Sequence, residues 1–368
     1  MLLSAPALGQ DRLGQPADGG SLLGQPAQQR ASRDTTRQKR TVGRLLDDST
    51  KQVYGPHTTY RFTAADWLRQ QAPEQPHPDT LLSNFHRYNT IERQGFDWQQ
   101  LSAIASPGRP QFYRLPDAVG ARLGIEALDY LLPSPQQFEF YDARSPYAYW
   151  QYAQGGGGRT WLDAAFARNI NARSNAGFAY RRAISRPLVG LRTEGGTARQ
   201  IDHQQIVLHG HYTGPKGRYR LLSGGIFHRT ILQETGGLAY SASTQDLDSL
   251  FSLDDGQLRN RLSGASGRVS GTRWFGQQSY RPFDSLGIRL FHEWHWETAL
   301  HAYADDNALE GDYPEVYFID DVSQEEIRMQ QLQTRAGVSW RRGGFLMLGY
   351  YQLRATRWAH ATVGNRQV

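Results

Sequence analysis

Leu286-Gly287-Ile288-Arg289-Leu290-Phe291-His292-Glu293-Trp294-His295-Trp296-Glu297-Thr298-Ala299-Leu300 carries two faces in one stretch. Leu286, Ile288, Leu290, Trp294, Trp296 and Leu300 fall on one side. Arg289, Glu293, His295, Glu297 and, just beyond, His301 fall on the other. Side chains of a strand point alternately to its two faces, so this alternation marks a strand separating an apolar from a polar environment. His292 lands on the apolar side, where an interfacial level suits it better than a ligand's role.

The same rhythm recurs over 147–153, 160–168, 174–184, 201–212, 219–228, 268–278, 330–341 and 345–354, giving about nine strands. Leu162, Ala164 and Phe166 oppose Asp163; Ala176, Phe178 and Tyr180 oppose Asn175, Gly177 and Arg181. Ile206, Leu208 and Tyr212 oppose His203, Gln205, His209 and His211. Tyr219, Leu221 and Phe227 oppose Arg218, Arg220 and His228; Leu332, Ala336, Val338 and Trp340 oppose Gln331, Gln333 and Arg335. Turns near 170–173, 214–217, 279–285 and 342–344 are short, while connections near 186–200, 231–267 and 304–328 are long and polar. Short turns at one end and long loops at the other are the habit of transmembrane β-barrels, and a Greek-key sandwich has no reason to sort its loops this way. The expected fold class is therefore all-β, a transmembrane antiparallel barrel.

Composition is compatible. The chain has no run of 18 or more apolar residues, which excludes a helical membrane protein but not a barrel, whose signal cancels within each strand. Mean hydropathy is −0.63. The absence of cysteine excludes disulfides and thiolate metal sites. A net charge of +6 is modest over 368 residues and comes without a compact basic motif or stacking platform, so no nucleic-acid partner is expected.

Organisation follows composition. Residues 1–9 resemble the end of a secretory signal, with Ala7-Leu8-Gly9 fitting small-x-small cleavage. Residues 10–50 are rich in Gln, Gly, Arg, Ser and Asp and nearly free of aromatics, and are expected to be disordered. Residues 51–146 carry eight prolines from Pro73 to Pro135. They read as an extended, irregularly ordered periplasmic or plug-like segment without a regular central sheet, with one helical turn at Asp66-Trp67-Leu68-Arg69. Residues 147–368 are the barrel strands.

Several blocks between Asp47 and Arg186 resemble the putative porin family of Bacteroidota outer membranes: Tyr54-Gly55-Pro56-His57-Thr58-Thr59, Leu82-Ser83-Asn84-Phe85-His86-Arg87-Tyr88-Asn89, Gly108-Arg109-Pro110, Tyr141-Asp142-Ala143-Arg144-Ser145-Pro146-Tyr147 with Gly155 to Gly158, and Arg168-Asn169-Ile170-Asn171-Ala172-Arg173-Ser174. Beyond residue 186 the likeness is one of pattern. The resemblance implies a barrel in the cell outer membrane that passes small polar solutes passively, is surrounded by outer-membrane lipid and is inserted by the barrel-assembly machinery. An odd strand count and an ending without a terminal aromatic lead to the expectation that this is the N-terminal portion of a longer barrel.

The polar faces then supply the pore-lining candidates: Asp163, Arg181, His203, Gln205, His209, His211, Arg218, Arg220, Arg289, Glu293, His295, Glu297, His301, Gln333 and Arg335. Five arginines against three carboxylates favour weak anion selectivity, with histidine protonation adding to it in acid. Other chemistry is thin. Histidines two residues apart on a strand stand about 7 Å apart, too wide for one ion, and Glu293 and Glu297 stand about 13 Å apart, beyond glycosidase spacing. The four glycines 155–158 lack the Lys-Ser/Thr of a phosphate loop. No catalytic residue, metal or cofactor is expected. Trp161, Trp294, Trp296, Trp340 and many tyrosines read as interfacial girdles in a barrel. Two other readings remain: a plugged structural or partner-binding barrel closed by residues 51–146, and a secreted β-sandwich with those aromatics as core, binding carbohydrate.

Overall fold

The computed structural model describes residues 59–69, 74–76, 86–93, 97–100, 103–113, 126–133, 138–156, 158–186, 199–237, 261–262, 264–283, 285–308, 313–314, 318–319, 321–362 and 366–367. The signal remnant, the leader and the Tyr54–Thr58 part of the first resemblance block lie outside these residues.

Nine long strands build one antiparallel sheet: β6 (Tyr147–Gly155), β7 (Arg159–Asn171), β8 (Ser174–Ser185), β9 (Ile201–Thr213), β10 (Tyr219–Gln233), β11 (Ala265–Tyr280), β12 (Ile288–Asp305), β14 (Val322–Arg342) and β15 (Phe345–Thr362). Each pairs with its neighbours in sequence, and the two-residue strands β13 (Phe318–Ile319) and β16 (Arg366–Gln367) add to β14 and β15. Among the described residues no ladder joins β6 to β15 or β16, so the sheet is an open path. The nine sequence stretches correspond to these nine strands, and most strands run longer than read. β14 gains eight residues at its start because Ser323–Met329 pairs with β12, Glu325–Met329 with β15 and Val322 with β13.

The two faces separate as the alternation demands. Ile206, Leu208, Tyr212, Tyr280, Leu290, Trp296, Leu332 and Val338 lie exposed on one face, called here the open face. Leu290 to Leu300 spans ten steps, about 34 Å at ~3.4 Å per residue, or about 24 Å of height at a 45° tilt. That matches the apolar band of an outer-membrane barrel, roughly 25 Å tall. His292, a polar residue on this face, is internally satisfied: Gln278 Nε2 donates to its Nδ1 (3.1 Å), its Nε2 donates to Thr334 Oγ1 (2.8 Å), and Thr334 Oγ1 donates to the Glu293 carbonyl (3.2 Å). An imidazole so partnered can sit in apolar surroundings without an orphaned polar atom.

Much of the other face is covered by the segment before β6. β1 (Thr59–Thr63) runs antiparallel to β5 (Glu139–Ala143) and to β2 (Glu74–Pro76). The sequence reading gave this region no sheet. β1 and β5 are free of proline but some 80 positions apart, so only the tertiary fold reveals their pairing, while the prolines keep β2 and β4 (Gly108–Pro110) to three residues. Helix α1 (Ala64–Leu68) follows β1 because Thr63 and Asp66 form a capping box: Thr63 Oγ1 accepts from the Asp66 amide (3.2 Å) and Asp66 Oδ2 from the Thr63 amide (2.7 Å). Helix α2 (Thr90–Arg93) is capped likewise by Asn89, and β3 (Trp98–Gln100) pairs with β4 (Gly108–Pro110).

Two apolar clusters join this segment to the sheet. Phe62, Ala64, Trp67, Leu132, Phe138 and Phe140 pack on Val207, Leu222, Ile226 and Phe275. Ile91, Ala103, Ala105, Leu128, Tyr130 and Leu131 pack on Trp161, Ala183, Ile201 and Leu232. Trp161, expected in an interfacial girdle, is instead a buried core residue on the covered face. The Tyr130 hydroxyl donates to the Ser106 carbonyl (2.7 Å), and burial raises its pKa far above the ordinary phenol value. Gly224 keeps the sheet low where the Phe275 ring crosses it: a Cβ there would lie 2.6 Å from that ring.

Phe140 is fully buried between the two layers, whereas Phe112 is exposed. Phe140→Ala should therefore lower stability by about 3–5 kcal/mol, and Phe112→Ala by less than about 0.5 kcal/mol. Urea unfolding followed by tryptophan fluorescence measures both.

Candidate functional site: the polar face of the sheet

The pore-lining candidates all fall on the covered face or at its edge, but they meet three different environments. The first lies under the inner segment, across β7 to β10. Asp163 pairs with Arg181 (3.0 Å), whose guanidinium also lies over the Trp161 ring (5.4 Å). His203 is fully buried and meets Thr230 Oγ1 through Nδ1 (2.8 Å). His209 packs edge-on against Phe138 and Phe140. His211 Nε2 donates to the Tyr141 carbonyl (3.0 Å) while its ring meets Phe62 and Trp67. Gln205 is buried in the same column. Arg181, His209 and His211 contact the inner segment, while Asp163, His203 and Gln205 are buried on the same face of the sheet.

The second environment is the end of α1, at the short-turn side of the sheet. The last carbonyls of a helix have no intrahelical donors and carry its negative dipole end. Here the sheet supplies the donors. Arg289 donates to the Trp67 carbonyl, Ser339 Oγ to Leu68 (2.8 Å), and Arg341 to Arg69 (3.1 Å). Arg220 lies over the Trp67 ring (4.9 Å). Arg289 and Arg220, read as pore charges, are docking residues. Arg218 belongs to the β9–β10 turn, and its carbonyl accepts from the Arg281 amide (2.9 Å). At the same end Asn169, read as part of a turn, lies within β7. It donates to Asp142 (2.7 Å) and accepts from the Ala143 amide (3.1 Å), tying β5 to the sheet.

The third environment is a polar wall on β11, β12, β14 and β15. Glu297 accepts from Arg273 (2.7 Å), and Glu293 lies 3.6 Å from Arg335. Arg335 lies over Tyr350 (5.5 Å), and Arg354 donates to Gln331 (3.0 Å). Gln333 accepts from Arg335 once its amide is turned over (3.2 Å). His295 and His301 are partly buried in the same wall. Register explains the grouping: Phe275, His295, Gln333 and Arg354 form one cross-strand row, and Gln277, Glu293, Arg335 and Gln352 the next. Sequence reading missed Arg273 and Arg354. Strand β11 alternates weakly because Gly271 and Gly276 interrupt it, and Arg354 stood at the edge of its stretch. Among the described residues no three His, Asp or Glu gather to hold a metal.

Arg289→Ala would remove the charged side-chain donor from the Trp67 carbonyl, leaving it the Arg69 amide alone, a loss of about 1–3 kcal/mol. Tryptic cleavage after Arg69 should accelerate accordingly, measured by mass spectrometry of timed digests. Arg168→Ala, an exposed change at the same end on the open face, should leave that rate unchanged.

No curated protein and no solved structure matches the chain at a significant level. The family described as putative porin matches residues 59–365, a span that takes in the inner segment, the docking contacts and all nine long strands. With the match covering most of its length, the chain belongs to the putative porin family.

Proposed function

We infer that this protein is an outer-membrane porin-like β protein in which the inner segment fills one part of the lumen and small polar solutes diffuse passively along the wall of β11, β12, β14 and β15. The coarser statement, a porin-like β protein, rests on family membership. The finer one rests on one observation: apolar clusters and docking bonds concentrate on β7 to β11 and at the helix end, while on the remaining wall Glu297 pairs with Arg273, Glu293 with Arg335 and Arg354 with Gln331, Arg273 also lying 3.9 Å from Asp129 of the inner segment. The open face, with its apolar band, is the lipid face, and the long-loop end is the cell exterior. Outer-membrane lipid and the assembly machinery are the partners this reading requires, and the role is transport rather than catalysis.

The plugged-barrel reading has a specific observation behind it too. The inner segment buries aromatic rings against five strands, a tighter attachment than a loosely folded-in loop would give. It would make the pore closed at rest.

Midway along the proposed wall, between the α1 docking contacts at one end and the carboxylates Asp305 and Glu325 at the long-loop end, the charges are three arginines, Arg273, Arg335 and Arg354, against two carboxylates, Glu293 and Glu297. Full-length protein in planar bilayers should therefore show weak anion selectivity. Arg335→Gln with Arg354→Gln leaves one positive against two negative charges and should turn the preference toward cations. Reversal potentials in a salt gradient decide it. Unchanged selectivity in the double variant would remove this wall from the conduction path, and no conductance at all would favour the plugged barrel.

A charge at the bilayer midplane of a barrel's lipid face costs roughly 2–4 kcal/mol. Leu332→Arg, opposite Trp296 at the middle of the apolar band, should accordingly reduce the fraction of folded protein seen by heat-modifiable gel migration, whereas Gln352→Arg, on the opposite face, should not. Equal loss from both would argue against lipid on the open face.

A further inference from the structure

Near the long-loop end a cavity of about 530 Å³ is centred on the row His228, Gly271, Ala299 and Met329, and ten of its fifteen lining residues, among them Phe227, Arg229, Thr298 and Arg328, belong to the open face. Its floor is low because Ser270, Thr272 and Thr298, small side chains on β11 and β12, stand between larger neighbours on β10 and β14. In register, Arg229 faces Ser270, Ser270 faces Leu300, and Leu300 faces Arg328. The two arginines thus flank the depression from either side, about 14 Å apart at ~4.8 Å per strand, within reach of a common ligand for side chains of their length.

The position of the cavity is as telling as its lining. It lies where the apolar band ends. Toward the short turns follow Ile206, Leu208, Trp274 and Trp296; toward the long loops follow Arg268, Asp202 and Glu326. The cations outnumber their counter-ions locally. Asp202 is taken by Arg182 and Arg199, and Glu326 engages Arg328 through Nε only, leaving both Nη groups for another acceptor. Arg229 is exposed and has no ion-pair partner among the described residues. Two guanidinium groups above a hydroxyl-lined floor match the multiple acceptor oxygens of a phosphate, and the apolar band below matches an acyl chain.

We propose that this depression is a binding site for the phosphorylated headgroup of an outer-leaflet lipid, gripped by Arg229 and Arg328 with its chains lying along Ile206, Phe227 and Trp296. The site rests on the membrane reading above but concerns a surface that reading does not use. It would pin β10 to β14 across β11 and β12 from the lipid side.

The test uses the full-length protein, folded in detergent and titrated with lipid A carrying phosphate, with the same lipid after phosphatase treatment, and with inorganic phosphate as competitor, bound lipid being read by native mass spectrometry. The phosphorylated lipid should bind in preference to the dephosphorylated one. Arg229→Ala and Arg328→Ala should each weaken it about fivefold, and the double change about 25-fold. Arg168→Ala, an exposed cation at the far end, should have no effect. Heat-modifiable migration confirms that each variant is folded, and flotation with vesicles tests the membrane reading separately. Flotation without a phosphate preference, or a preference that survives the double change, overturns the lipid site alone. Displacement by inorganic phosphate at equal concentration also overturns it, showing a free-anion site. Failure to float overturns the membrane reading and the site with it.

Discussion

A pleated strand commits each residue to one of two environments, and in this protein the two could hardly differ more. One face of the nine-stranded sheet is an apolar band with its hydrogen-bonding groups satisfied internally, down to the Gln278–His292–Thr334 chain. The other face carries the ion pairs Asp163–Arg181, Glu297–Arg273 and Glu293–Arg335, while those of the open face lie beyond the band, toward the long loops. Every further feature depends on keeping those sets apart, because a slip of one residue in register would exchange them completely. Ladders that run unbroken through 15 to 18 residue pairs between β10, β11, β12, β14 and β15 fix that register.

The polar face is not a uniform wall. A helix of only five residues reaches it, and its terminal carbonyls would be left without donors if they were buried there alone. Arg289, Ser339 and Arg341 answer them from strands more than two hundred positions away. Aromatic packing of Phe62, Phe138 and Phe140 on Val207, Ile226 and Phe275 supplies the area, while the carbonyl contacts supply the position. The inner segment thereby becomes part of the sheet's own core over β7 to β11. Beyond those contacts, the polar surface on β12, β14 and β15 is held by side chains of the sheet itself, with Glu297 on Arg273, Glu293 on Arg335 and Arg354 on Gln331.

That division explains the mixed fate of the candidate residues. Glu293, Glu297, Gln333 and Arg335 keep the place their alternation suggested, on a polar wall. His209, His211, Arg220 and Arg289 share the same face and the same pattern, yet serve to hold the inner segment. Alternation reports which face a residue occupies. It carries no information about what lies against that face, since a buried ion or imidazole with partners looks, in one dimension, like a solvated one.

Strand number, face assignment and the sorting of short from long connections were legible from the chain, because a period of two is a local property and each strand records it independently. The capping box at Thr63 and Asp66 is equally local, and the sequence showed its helical turn. What only the tertiary structure decided is non-local: the pairing of β1 with β5, the burial of Trp161, the capture of the α1 carbonyls, and the joining of Arg273 and Arg354 to the charged wall. Each depends on residues brought together from distant positions, and no periodicity in a single strand encodes the partner that another segment will bring to its face.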